Sequence, residues 1–168
     1  KELFKLFNGY KNPFFTINTR LDVTELCAYR ERKKLSGEDK GFFIPFTYLL
    51  VKTFNRYAGF RYRIVGDEVY DCEFAKPSFT VFLKDENNDF AFVRADDFSS
   101  YGAFALDARA KMNEAIENAK KGVKRQSNDK DELDVFFISA LPWLDGSEIY
   151  NPLPLEDREC LAVPRINW

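Results

Sequence analysis

The sequence predicts one α/β domain built on a mixed β-sheet, and three observations carry that reading. Helical 3–4 spacing alternates with strand-like runs along the chain, the pattern of helices packed on a sheet. "DVFFISALPW", residues 134–143, is a near-continuous apolar run of the kind shown by parallel strands buried on both faces. "FRYRIVGDEVYDCEF", residues 60–74, has Gly66-Asp67 between two strand-like halves and reads as an antiparallel hairpin.

The elements follow in order. "KELFKLFNGY" places Leu3, Phe4 and Phe7 on one helical face, and "PFFTINTRL" reads as a strand of β-branched and aromatic residues. Asp22 and Glu25 form an N-cap and capping-box pair, opening a helix to about Leu35, after which "SGEDKG" is a polar loop. "FIPFTYLLVKTFNRY" has Pro45 near a helix start, with Phe46, Leu49, Leu50, Phe54 and Tyr57 facing inward. After the hairpin come strand-like "SFTVFL" and "DFAFVRA", then a helix from Ala105 to Lys121 with Met112 and Ile116 inward and Gly122 ending it. "GVKRQSNDKDEL" is a solvated charged loop, and "CLAVPRINW" is a last strand-like segment. No repeat or flexible linker divides the chain, so residues 1–168 are expected to form a single domain. The start inside a helix and the stop at Trp168 on a strand give the expectation that both ends are truncated.

Composition narrows the function. A formal net charge of -2 supplies no field for nucleic acid or an anionic membrane. No run approaches the roughly 20 apolar residues that span a bilayer, and no signal peptide opens the sequence. Cys27, Cys72 and Cys160 are scattered without CxxC spacing and read as free thiols of a cytoplasmic protein, not as metal ligands. With 0 histidines, the chain cannot by itself build a Ser-His-Asp or Cys-His site, nor a histidine-based zinc site; no metal is expected. The 8 glycines form no GxGxxG or GxxxxGK[ST] loop for nucleotide phosphates. The 18 phenylalanines fit both a core and the floor of a pocket for a flat apolar ring. Ser139 stands out inside its apolar run. A buried hydroxyl costs stability without a partner, so it meets either a neighbouring backbone group or a ligand.

"NPFFTINTRLDVTEL", "GFFIPFTYLLVKTFNRYAGFRYRI", "KPSFTVF" and "FFISALPW" occur in an order and at spacings that resemble the chloramphenicol acetyltransferases over nearly the whole chain. The resemblance implies a two-layer α+β sandwich of the CoA-dependent acyltransferase fold, with helices on one side of a mixed sheet. It implies a homotrimer with active sites between subunits and acetyl-CoA as co-substrate. The acetyl group would pass to a hydroxyl of chloramphenicol or a similar aromatic acceptor.

The site residues are likewise what the resemblance implies. Ser139 matches the serine that donates to the oxyanion of the tetrahedral intermediate, and Asn167 falls where the family has a water-orienting threonine. Phe7, Phe15, Phe90 and Phe92 fall at positions that wall the acceptor pocket, and Trp143 matches a tryptophan near the coenzyme channel. The family's general base is the histidine of an HHxxxDG segment, which this sequence does not contain; the base is therefore expected outside residues 1–168. Two alternatives stand beside that expectation. One is a non-catalytic trimeric ligand-binding or assembly protein on the same fold; the other is an acetyltransferase for a different acceptor.

Overall fold

The computed structural model describes residues 2–10, 13–38, 41–83, 89–123, 133–143 and 163–168. Among the described residues four α-helices, α1 (Glu2–Asn8), α2 (Thr24–Leu35), α3 (Phe43–Arg56) and α4 (Tyr101–Lys120), accompany six strands. The strands are β1 (Tyr62–Val65), β2 (Glu68–Asp71), β3 (Lys76–Leu83), β4 (Asp89–Arg94), β5 (Val135–Ser139) and β6 (Arg165–Asn167). The hairpin β1–β2 turns at Gly66, whose φ of 58° lies in the left-handed region that glycine enters without a Cβ penalty. The other four strands form one mixed sheet in the order β4-β3-β5-β6. β3 and β4 are antiparallel, while β3, β5 and β6 run parallel. Parallel neighbours need a crossover, and α4 supplies it between β4 and β5.

α3 and α4 make the second layer, α4 over β4 and β3, α3 against β3 and α4. Paired residues run straight across the sheet: Val93 opposes Phe79, Phe79 opposes Ile138, and Ile138 opposes Ile166. Val93, Phe79 and Ile138 are core residues, so this row faces the helices. The Phe43 ring of α3 meets Phe79 edge-on at 4.9 Å, and the Phe54 ring lies 4.3 Å from Phe136. Phe104, Ala105 and Ala108 of α4 are buried beside them, the two alanines letting the helix approach the strands closely. Among the described residues, no helix makes contacts of this kind on the opposite face of the sheet, called the helix-free face below.

Two polar clamps fix the layers. Asn55 near the end of α3 donates to the carbonyls of Val51 and Ala75 at 2.8 and 2.9 Å and accepts from the Ala75 N–H at 2.8 Å. Arg63, wholly buried, donates to the carbonyls of Phe60, Tyr62, Leu133 and Val135, tying the hairpin to the start of β5. Burial pushes its guanidinium below the ordinary arginine range, against the opposing pull of Cys72 and Asp134.

Several expectations are corrected here. Residues 13–21 form neither strand nor helix; β-branched and aromatic residues favour a strand only when a partner completes its ladder, and none does so here. Asp22 caps differently from the expected capping box: its Oδ1 accepts from the Thr24 N–H at 2.9 Å, and α2 starts at Thr24 without a side-chain cap. α4 begins at Tyr101, earlier than Ala105, because the Ser100 hydroxyl accepts from the Ala103 N–H at 3.1 Å. On α3 the buried residues are Ile44, Pro45, Phe46, Thr47, Val51 and Phe54, so Phe46 and Phe54 face inward as expected, while Leu49 and Tyr57 are exposed. α1 buries none of its residues. The charged stretch 124–132 and Cys160 lie outside the described residues, whereas Cys27 is an exposed and Cys72 a buried free thiol.

Candidate active site

Ser139 is the last residue of β5, and its Cα is directly opposed by that of Asn167 on β6. The backbone closes this end firmly: the Ser139 carbonyl accepts from the Trp168 N–H at 3.2 Å, and the Trp168 carbonyl accepts from the Leu141 N–H at 2.9 Å. Ser139 and Asn167 stand one residue beyond Ile138 and Ile166, which face the helices. Alternation along a strand therefore turns them to the helix-free face. The same step from Phe79 and Val93 leads to Thr80 and Phe92, a Cα pair on that face. One pair further, Phe82 opposes Phe90, and the rings of Phe90 and Phe92 meet edge-on at 5.7 Å.

The helix-free face thus gathers four of the residues singled out by the sequence: Ser139, Asn167, Phe90 and Phe92. Phe90 is 50% exposed, and Ser139, Asn167 and Phe92 are half-buried. Among the described residues the Ser139 hydroxyl makes no side-chain hydrogen bond, although its carbonyl is satisfied within the sheet. The full burial expected for β5 holds for Val135, Phe136 and Ile138, while Phe137 and Ser139 on the other face are half-buried. On the same face, the Arg165 guanidinium lies 5.3 Å from the centre of the Phe137 ring, its Cα partner across the β5–β6 pair.

The other three candidates stand apart. The Phe7 ring meets Tyr10 of its own segment at 5.5 Å, and Phe15 is 84% exposed, so a single chain brings neither to Ser139. Trp143 lies in the turn after β5 and is 70% exposed.

Sequence reasoning missed Thr80 and Phe82, which share the face with Phe92 and Phe90. The alternation in "SFTVFL" marks them as one side of a strand, but only the sheet order shows which side faces the helices. It also missed a cavity of about 460 Å³ on the other side of the same sheet end. β3 pairs with β5 only as far as Phe79, and beyond that point its edge from Thr80 to Phe82 borders this cavity. Phe42 and Phe43 at the start of α3, Arg109 on α4, and Ala140 just after Ser139 complete the wall. The Trp168 ring packs on Phe42 and Phe46 at 5.2 Å each, tying β6 to the same corner.

A chain of ion pairs crosses the far end of the sheet. Asp134 receives Lys76 at 2.7 Å and both Arg94 bonds at 3.0 Å, and Asp96 bridges Arg94 to Lys111. Burial works to raise the Asp96 carboxyl, but Lys111, then Arg94 and Lys76, outweigh it and hold it below the usual range. Among the described residues no group of three or more His, Cys, Asp or Glu gathers as metal ligands, and no helix is long and apolar enough to cross a membrane.

The described residues form a two-layer α+β domain, a mixed sheet with α3 and α4 on one face. It is similar to a solved chloramphenicol acetyltransferase with a TM-score of 0.75 at 23% identity, covering 99% of this chain and 75% of that one. The family model described as chloramphenicol acetyltransferase matches residues 1–152, and the chain belongs to that acetyltransferase family. Ser139 and Trp143 fall inside the matched span, and Asn167 falls beyond it. No curated protein sequence matches the chain.

Proposed function

We propose that this protein, as one acyltransferase domain of a cytoplasmic homotrimer, moves an acetyl group from acetyl-CoA to a hydroxyl of chloramphenicol or a similar aromatic acceptor. The observation that carries the proposal is the placing of Ser139. Its hydroxyl stands on the helix-free face, at the end of a strand, beside Asn167 and within the same sheet surface as Phe90 and Phe92. The acceptor oxygen attacks the thioester carbonyl carbon, the carbonyl oxygen takes on negative charge, and the Ser139 hydroxyl donates to it. Charge that exists only near the transition state is what a fixed donor stabilises selectively. The Asn167 amide orients a water beside it. Collapse of the intermediate breaks the C–S bond, and the proton taken from the acceptor passes to the departing thiolate.

That proton needs a base near neutrality. The 168 residues include 0 histidines, so the base of this proposal is a histidine from outside them. Phe90 and Phe92 wall the acceptor's ring, while the exposed Phe7 and Phe15 complete the wall from an adjacent subunit of the trimer. Trp143 flanks the donor's channel. The test is acetyl transfer from acetyl-CoA by the protein expressed from its gene, read as thiol release with chloramphenicol and with other hydroxylated aromatics. Release that requires an acceptor supports the proposal, and none with any of them sinks it.

The lack of histidine favours one second reading, a trimeric protein that binds an aromatic ligand without turning it over. An intact mass of 19.6 kDa together with ligand binding and no thiol release would select it.

A further inference from the structure

A groove of about 620 Å³ lies beside the C-terminal half of α3. Three segments meet in it: α3 itself, the stretch between β2 and β3 that carries Phe74, and the stretch between β4 and α4 that carries Phe98. Leu49, 50% exposed, and Phe74, 48% exposed, present open apolar surface on its walls. Lys52 and Arg56, both exposed and one helical turn apart, stand on the same side of α3. The Arg56 guanidinium lies 5.8 Å from the centre of the Tyr57 ring.

Charge decides what such a groove accepts. No aspartate or glutamate is among the described residues that line it. Its other polar side chains on α3 are engaged: the Thr53 hydroxyl donates to the Leu49 carbonyl at 2.9 Å, and Asn55 is held by Val51 and Ala75. The two cations are not. Among the described residues neither Lys52 nor Arg56 makes an ion pair or a side-chain hydrogen bond. Their neighbour Arg61 shows the contrast, pairing with Asp71 at 3.1 Å and donating to the Asn55 carbonyl at 2.9 Å. With the Asn55 carbonyl taken by Arg61 and the Thr53 carbonyl by the Tyr57 N–H, these carbonyls at the end of α3 are satisfied without Lys52 or Arg56.

Two like charges one helical turn apart repel each other. A carboxylate between them replaces that repulsion with two charge-assisted hydrogen bonds, while an apolar body attached to it covers Leu49, Phe74 and Phe98. The groove is concave and of the size that takes a small organic molecule, which favours such a ligand over a flat bilayer. The net charge of -2 also disfavours an anionic membrane.

We propose that this groove binds a small amphipathic anion, an aromatic ring system bearing a carboxylate. Lys52 and Arg56 hold the carboxylate, and Leu49, Phe74 and Phe98 surround the rings. Asn55 ties this end of α3 to Ala75, next to the Lys76–Val135 pair that opens β5, whereas Ser139 closes that strand. The groove therefore stands at the other end of the sheet from the proposed acyl-transfer site and does not rest on that reading.

The experiment is calorimetric titration of the protein expressed from its gene with naphthoate and with the neutral naphthamide, repeated on the double variant Lys52→Gln/Arg56→Gln and on Phe74→Ala. Wild type is expected to bind naphthoate at least about tenfold more tightly than naphthamide. The double variant removes that difference and leaves naphthamide unchanged, while Phe74→Ala weakens both. The substituted side chains are exposed, and an unchanged melting temperature shows that each variant is folded. Naphthoate bound equally by wild type and the double variant, or no more tightly than naphthamide, overturns the assignment. Absence of naphthoate binding to wild type overturns it too. Phosphatidylserine vesicles or a polyglutamate peptide bound in place of naphthoate, and lost in the double variant, reassign the two cations to a membrane or an acidic peptide and overturn it as well.

Discussion

Ser139 and Asn167 oppose each other across the parallel pair β5–β6, and the Trp168 N–H closes the pair on the Ser139 carbonyl at 3.2 Å. With its carbonyl held inside the ladder, Ser139 sits on a rigid strand end, and its hydroxyl projects to the helix-free face. Rigidity matters because an oxyanion donor is useful only when its position is fixed before charge develops.

In the proposed mechanism Asn167 acts through a water. Asn167→Ala is expected to lower kcat by a smaller factor than loss of Ser139, roughly tenfold, since a water-mediated bond is partly replaceable by bulk water. Steady-state kinetics with both substrates varied checks it; an unchanged kcat removes Asn167 from the site.

Phe90 and Phe92 present adjoining rings on the proposed acceptor side. Phe92→Ala is expected to raise the acceptor KM by about tenfold while leaving the acetyl-CoA KM alone, because it removes apolar contact from one substrate only. An equal rise in both KM values would place Phe92 outside the acceptor pocket.

The Asn55 clamp is purely structural. Asn55→Ala leaves the Ala75 N–H and carbonyl without their partner on α3, and is expected to cost about 2–3 kcal/mol in urea unfolding. Arg63→Met strips four carbonyls of their donor and is expected to cost at least as much. A loss below about 1 kcal/mol for either would show that water takes over these groups.

Asp96 gives the pH dependence its sign. Its carboxyl is held below the ordinary range in the folded state, so the ion pairs contribute above the unfolded value. Their contribution is lost as pH falls through the depressed folded value. Asp96 is about half exposed, and solvent screening limits the effect at pH 7 to under about 1 kcal/mol. Melting temperatures of wild type and Asp96→Asn from pH 7 down to about pH 2 should converge at the acid end. Curves that stay parallel would contradict the assignment.

The legible parts of this fold were those whose signal is local. Gly66-Asp67 announces its turn because a left-handed backbone calls for glycine, and the apolar run of β5 declares a parallel strand. Residues 13–21 misled, because strand propensity is realised only against a partner, and propensity alone does not supply one. Leu49 and Tyr57 misled similarly: 3–4 spacing marks a face, and α3 does bury Phe46 and Phe54 of that face, but Leu49 and Tyr57 lie at its margin and stay exposed. Arg63 and Asn55 were invisible, since a polar residue in an alternating strand or at a helix end reads as solvent-facing. Only the fold reveals the carbonyls waiting for them. Ser139, Asn167 and the aromatic pair were candidates from family resemblance alone, and it is the sheet order that sets them on one surface.

The most direct test of the central claim is the rate of thiol release from acetyl-CoA, with acceptor present, by wild type and Ser139→Ala. The account predicts that the substitution lowers kcat about 10²–10³-fold with both KM values nearly unchanged. A Ser139→Ala protein that turns over at the wild-type rate would contradict it.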